Sequence, residues 1–127
     1  MDKTRFGCWL VVAVAVVQTI STLLSPLAAE LVATAVLFNA AAGFSTFLLL
    51  RRPDRNRWPL VLWTAGFFGW HVTGLVTMAG IVSTDLDAAF LIASRRELSI
   101  AYQVVLATLA GFAVHILLPR PSAARRR

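Results

Sequence analysis

A chain of 127 residues that is 58% hydrophobic and only 14% charged has too few polar groups to coat a soluble domain of its size. Its net charge of +6 falls in short clusters between long apolar runs, with no aromatic-interleaved basic face, which argues against nucleic acid as a partner. The composition places the chain in a lipid bilayer, and a lone Cys8 offers neither an internal disulfide nor a metal-ligand set.

After a polar start with Lys3 and Arg5, residues 6–24 run without a charge. About 19 residues at about 1.5 Å each cross about 30 Å of hydrocarbon, so this run is long enough to span. A cleaved signal peptide needs a shorter apolar core and small residues before its cut, and residues 25–29 make a poor site, so a retained helix is expected. Ser25-Pro26 reverses the chain, with Pro26 suited to the first turn of the next helix. Residues 27–50 form the second predicted span, interrupted only by Glu30 and Asn39, and an arginine-rich loop with Arg51, Arg52, Arg55 and Arg57 follows. The third span, residues 58–82, is rich in Gly and aromatic residues and carries His71. Residues 83–97 mix Asp85, Asp87, Arg95, Arg96 and Glu97 with an apolar patch and read as a connection holding a short interfacial helix. Residues 99–118 make the fourth span, and 119–127 a basic tail. The predicted fold is an all-α integral membrane protein with four transmembrane helices in a single domain.

Of the 12 basic residues, 10 lie in the N-terminus, the 51–57 loop and the tail, and four crossings put all three on one side. The positive-inside rule makes that side, with both termini, cytoplasmic in a multi-pass protein of the cell membrane. Two of these basic endings match. Residues 42–53 read AGFSTFLLLRRP and residues 110–121 read AGFAVHILLPRP. Arg5-Phe6 and Arg57-Trp58 open the segments that lead to them, which predicts two helical-hairpin units, 5–53 and 57–121, related as a parallel repeat, with 122–127 left as a basic tail.

A basic-aromatic opening, then spans that end in Phe, several apolar residues and a basic residue, resembles the GtrA-like family of small four-span membrane proteins over nearly the whole chain. The chain differs in having Gly43 and Gly111 before the Phe, where that family often has Asn. The resemblance implies a role in cell-envelope polysaccharide synthesis: translocating or delivering polyprenyl-phosphate-linked sugars, or supporting the membrane glycosyltransferase that makes or uses them.

Polar residues inside the spans are the informative ones, because hydrocarbon leaves them without water. Counted from the basic ends at about 1.5 Å per residue, Gln18, Asn39, His71 and Gln103 all fall about 16–22 Å deep, in one layer near the midplane. That layer is either the lining of a path for a sugar or phosphate, or interhelical glue. Glu30 sits a turn inside the opposite face. It is either a solvated carboxylate, paired with Arg95 or Arg96, or the proton site of a small exporter. His71 and His115 differ too much in depth to share a haem within one chain, and no cofactor is expected.

Arg51, Arg52, Arg55, Arg57 and Arg120 serve topology in the plainest reading. As guanidinium forks at one membrane face they also suit a lipid phosphate. On the third span Ala65, Gly69, Thr73 and Thr77 form a small-residue stripe about 200° around the helix from His71. Stripe and imidazole therefore face different neighbours, one inside the bundle and one across a possible homodimer. With no nucleotide-binding loop, metal cluster or nucleophile and base in view, no enzyme activity is expected.

Overall fold

The computed structural model describes residues 2–25, 27–81 and 95–120. It contains α1 (Lys3–Leu24), α2 (Ala29–Arg51), α3 (Trp58–Met78) and α4 (Arg96–Leu117), each long and apolar enough to cross a membrane. Among the described residues there is no strand. The protein is thus an all-α, multi-pass membrane protein of four spans. The proposed interfacial helix within 83–97 falls mostly outside the described residues.

The helix ends refine the sequence reading. Asp2 caps α1 by accepting a hydrogen bond from the Thr4 amide at 3.3 Å. The second helix begins at Ala29, three residues beyond Pro26 rather than at it. Pro59 sits in the first turn of α3, where a missing amide hydrogen costs nothing, and Asn56 Oδ1 accepts from the Trp58 amide at 3.1 Å. The fourth helix starts at Arg96, earlier than hydropathy alone indicates, so Arg96 and Glu97 belong to its first turn.

The third helix stops at Met78 although apolar residues continue to position 82. Gly80 takes a φ of 76°, and its amide donates to the Thr77 carbonyl while the Ile81 amide donates to that of Val76, the glycine-terminated helix stop. Arg96 Nε donates to the Met78 carbonyl, so the fourth helix helps to close the end of the third. A Cβ on Gly80 would meet both the left-handed backbone penalty and Arg96 Nη2 at 3.2 Å. Gly80→Ala is expected to destabilise the protein by about 1–2 kcal/mol, read from unfolding in mixed micelles.

The helices alternate in direction and pack in the order α2, α1, α4, α3. The third and fourth make the most extensive pairing, the first packs on both the second and the fourth, and α2 and α3 pair only loosely. The tight core occupies the arginine-rich half of the bundle: Cys8, Val11 and Val14 from α1, Ala42 and Leu49 from α2, Leu60 and Phe67 from α3, Leu106, Ala110, Ala113 and Leu117 from α4. Small residues let these backbones approach, which replaces the hydrophobic drive that lipid removes. Gly7 is the closest case: a Cβ there would lie 3.0 Å from the fully buried Leu117.

Leu24 and Leu37 are 82% and 70% exposed, and Phe44 and Phe112 also face outward, as lipid contact requires. Threonines on the spans are made safe for hydrocarbon by donating to the carbonyl four residues back, as Thr46 does to Ala42 and Thr108 to Val104.

Candidate functional site

Because α2 and α3 scarcely touch, the half of the bundle away from the arginines is not filled. A cavity of about 400 Å³ lies there, lined by all four helices. The first helix contributes Gln18, Ser21, Thr22 and Ser25, which fall on one face at helical spacing. Leu31, Thr34, Ala35 and Phe38 come from α2, with Leu27 just ahead of it. The third supplies Gly66, Phe67, Trp70 and His71, and the fourth Tyr102 and Gln103. None of these residues carries a fixed charge.

One wall is a column of rings. Phe38 lies 5.2 Å from Trp63, Trp63 stacks on Phe67 at 5.2 Å, Phe67 meets the His71 ring at 4.3 Å, and Tyr102 closes on His71 edge-on at 5.8 Å. Trp63 Nε1 donates to the Phe38 carbonyl at 2.9 Å, which satisfies a buried indole and ties α2 to α3 near mid-membrane. One residue on, Asn39 Nδ2 donates to Thr19 Oγ1 at 2.9 Å, and that hydroxyl donates to the Ala15 carbonyl at 2.7 Å. Both ties on α2 thus sit at adjacent residues, of which Phe38 lines the cavity.

The midplane layer separates into two groups. His71, only 1% exposed, donates from Nδ1 to Gln103 Oε1, and this pair joins α3 to α4 at the inner end of the cavity. Gln18 lines the same cavity, half-buried. Asn39 is not among the lining residues: it donates to Thr19 across the α1–α2 interface. Among the described residues four buried polar atoms lack a hydrogen-bond partner: Gln18 Oε1, Asn39 Oδ1, His71 Nε2 and the Tyr102 hydroxyl, which faces Ser21 without closing a bond.

Glu30 also lies apart from the cavity, exposed in the first turn of α2. Arg96, one of the two arginines offered as a partner for Glu30, donates from Nε to the Met78 carbonyl at the end of α3. The small-residue stripe is resolved as well. Ala65, Gly69 and Thr73 face outward while His71 faces the bundle interior, and only Thr77 of the four is buried.

Arg51, Arg52, Arg55, Arg57 and Arg120 share one end of the bundle, opposite the cavity. Arg51 lies over the Phe47 ring at 4.7 Å, Arg57 is half-buried at the start of α3, and Arg52, Arg55 and Arg120 are exposed. His115 is exposed nearer that end, far in sequence and depth from the buried His71. Among the described residues no group of three or more His, Cys, Asp or Glu could hold a metal.

Several lining residues lay outside the sequence reading: Ser21, Thr22, Ser25, Trp70 and Tyr102. The first three were detectable in principle, since with Gln18 they form a polar stripe on an otherwise apolar span. Trp70 and Tyr102 were not, because aromatic residues on a span are equally suited to lipid or core. The chain matches no protein-family model, no curated protein and no solved structure.

Proposed function

We propose that this protein binds lipid-linked sugars of the polyprenyl-phosphate class in the cell membrane and translocates or delivers them for cell-envelope polysaccharide synthesis. The observation that carries this reading is the cavity. Its volume falls within the range of about 300–1,000 Å³ usual for small-ligand sites. Aromatic faces, hydroxyls and amides in one wall suit a sugar, and the loose pairing of α2 and α3, which both line the cavity, suits a ligand that arrives within the bilayer. The resemblance to GtrA-like proteins points the same way. In this reading the arginine-rich end is the cytoplasmic face, where Arg51, Arg52, Arg55, Arg57 and Arg120 receive the anionic head, and the two hairpins are copies of one unit. The burial of Ala42 and Leu49 in α2 is repeated by Ala110 and Leu117 in α4, and the exposure of Phe44 by that of Phe112, which supports the duplication.

A second reading, an accessory that scaffolds a membrane glycosyltransferase, is favoured by one observation: the outward stripe of Ala65, Gly69 and Thr73 leaves a close-packing face on α3 free for a partner span. A weaker reading is a small proton-coupled exporter using Glu30, which is exposed in the first turn of α2 and is not among the residues lining the cavity.

Reconstitution into liposomes with a labelled polyprenyl-phosphate sugar tests the leading reading. Faster transbilayer movement than in protein-free liposomes is expected. Intact, correctly inserted protein that leaves the rate unchanged would rule translocation out, and copurification of a glycosyltransferase would then establish the scaffold.

A further inference from the structure

Among the described residues the cavity wall is made of neutral groups, and each of its unpartnered atoms can accept a hydrogen bond. His71 presents Nδ1 to Gln103 Oε1, an acceptor only, so Nδ1 must carry the proton. Among the described residues no carboxylate lines the cavity to hold an imidazolium in the hydrocarbon. The ring is therefore neutral, and its Nε2 is a bare lone pair without a partner. Gln18 Oε1, from the facing helix, is likewise unpartnered, and the Tyr102 hydroxyl can accept as well as donate. Unpaired polar groups buried at this depth cost about 1–3 kcal/mol each, so they persist where something else satisfies them.

From these groups we infer that the cavity is a binding site for a neutral, hydroxyl-bearing head, with His71 Nε2 and Gln18 Oε1 as the acceptors that recognise it, and that it rejects phosphate and other anions. This rests on the lipid-linked-sugar reading and sharpens it: the sugar and the phosphate are held by different ends of the protein.

The exclusion of anions follows from the same chemistry. A phosphate oxygen placed against Nε2 or Oε1 meets lone pair with lone pair, and no lysine or arginine lines the cavity to offset this. A hydroxyl donates to either atom, and its carbon face lies on Phe67 or Phe38 without loss. Nε2 and Oε1 are covered in this conformation. Gln18 and Tyr102, which line the cavity beside His71, are only half-buried, so binding at these atoms requires side chains of the wall to turn. Gln103 does not touch the ligand. It is a positioning residue that fixes which imidazole nitrogen is bare, in the way that outer partners fix a histidine tautomer elsewhere.

The full-length protein in nanodiscs, titrated with radiolabelled octyl glucoside below its micellar concentration, tests this, with octyl phosphate as competitor and the imidazole ¹⁵N signals as second readout. Saturable glucoside binding that shifts the His71 Nε2 resonance and that octyl phosphate does not displace is expected. His71→Phe and Gln18→Leu should each weaken binding by about five- to tenfold, the value of one lost hydrogen bond to a neutral group. Gln103→Leu, which removes the acceptor facing Nδ1, should weaken binding and change the tautomer that the imidazole ¹⁵N signals report. Gln18→Leu keeps the test valid if the His71 variant does not fold. Equal displacement by octyl phosphate, or full glucoside binding by folded Gln18→Leu and His71→Phe proteins, would overturn the inference. Binding that survives in a protein inactive in the liposome assay would remove translocation and leave the site, whereas translocation without saturable glucoside binding would remove the site alone.

Discussion

Phe67→Ala is expected to cost about 3 kcal/mol of stability in mixed micelles, the low end of the range for emptying a buried phenylalanine position. Phe67 is 1% exposed and lies between Trp63 and His71, so its ring is both core for the arginine-rich half and wall for the cavity. The low end is appropriate because the unfolded reference here is a set of helices in lipid. Transfer to water contributes little, and the lost term is packing. Leu62→Ala, one to two turns away on the lipid-facing side where Leu62 is 65% exposed, is the control and should cost well under 1 kcal/mol. Circular dichroism and Trp fluorescence during unfolding measure both. Similar losses at the two positions would mean that the ring column does not hold the bundle together.

Arg52→Gln and Arg120→Gln combined should weaken association of an alkyl phosphate with the nanodisc-embedded protein by about 30-fold, with each single change giving about fivefold. The basis is about 1 kcal/mol per basic residue at a membrane surface, which at about 1.4 kcal/mol per decade compounds to that ratio. Both side chains are exposed at the same end, so the loss should shrink as salt is raised, since charges in water are screened over about 8–10 Å. Neutral alkyl glucoside binding should stay as in the wild-type chain, because neither arginine lines the cavity. Unchanged phosphate association in the double variant would confine these arginines to topology.

Particular residues show where sequence reading sufficed. Four long apolar runs separated by Ser25-Pro26, by four arginines and by a mixed connection leave little choice in the number of helices, because hydrocarbon admits no unpaired backbone. The end of α3 was misplaced by hydropathy, since Ile81 looks as apolar as what precedes it and only the left-handed Gly80 stops the helix. Depth counting along straight helices put Gln18, Asn39, His71 and Gln103 in one layer, and it placed Glu30 near the far surface. Depth says nothing of azimuth, however. Rotation about each helix axis separates Asn39 from the cavity, turns Glu30 outward and brings Gln103 onto His71.

By itself, then, the sequence determined that this is a four-span membrane protein with its arginines gathered at one end, because length, hydropathy and charge act on each helix separately. Only the tertiary structure decided that α2 and α3 stand apart, that the resulting space is lined by neutral hydroxyls, amides and rings, and that His71 faces it with one nitrogen bound and the other bare. Those features depend on how apolar helices rotate and close on one another. In lipid that choice is made by the shapes of small and large side chains in contact, which no single helix contains.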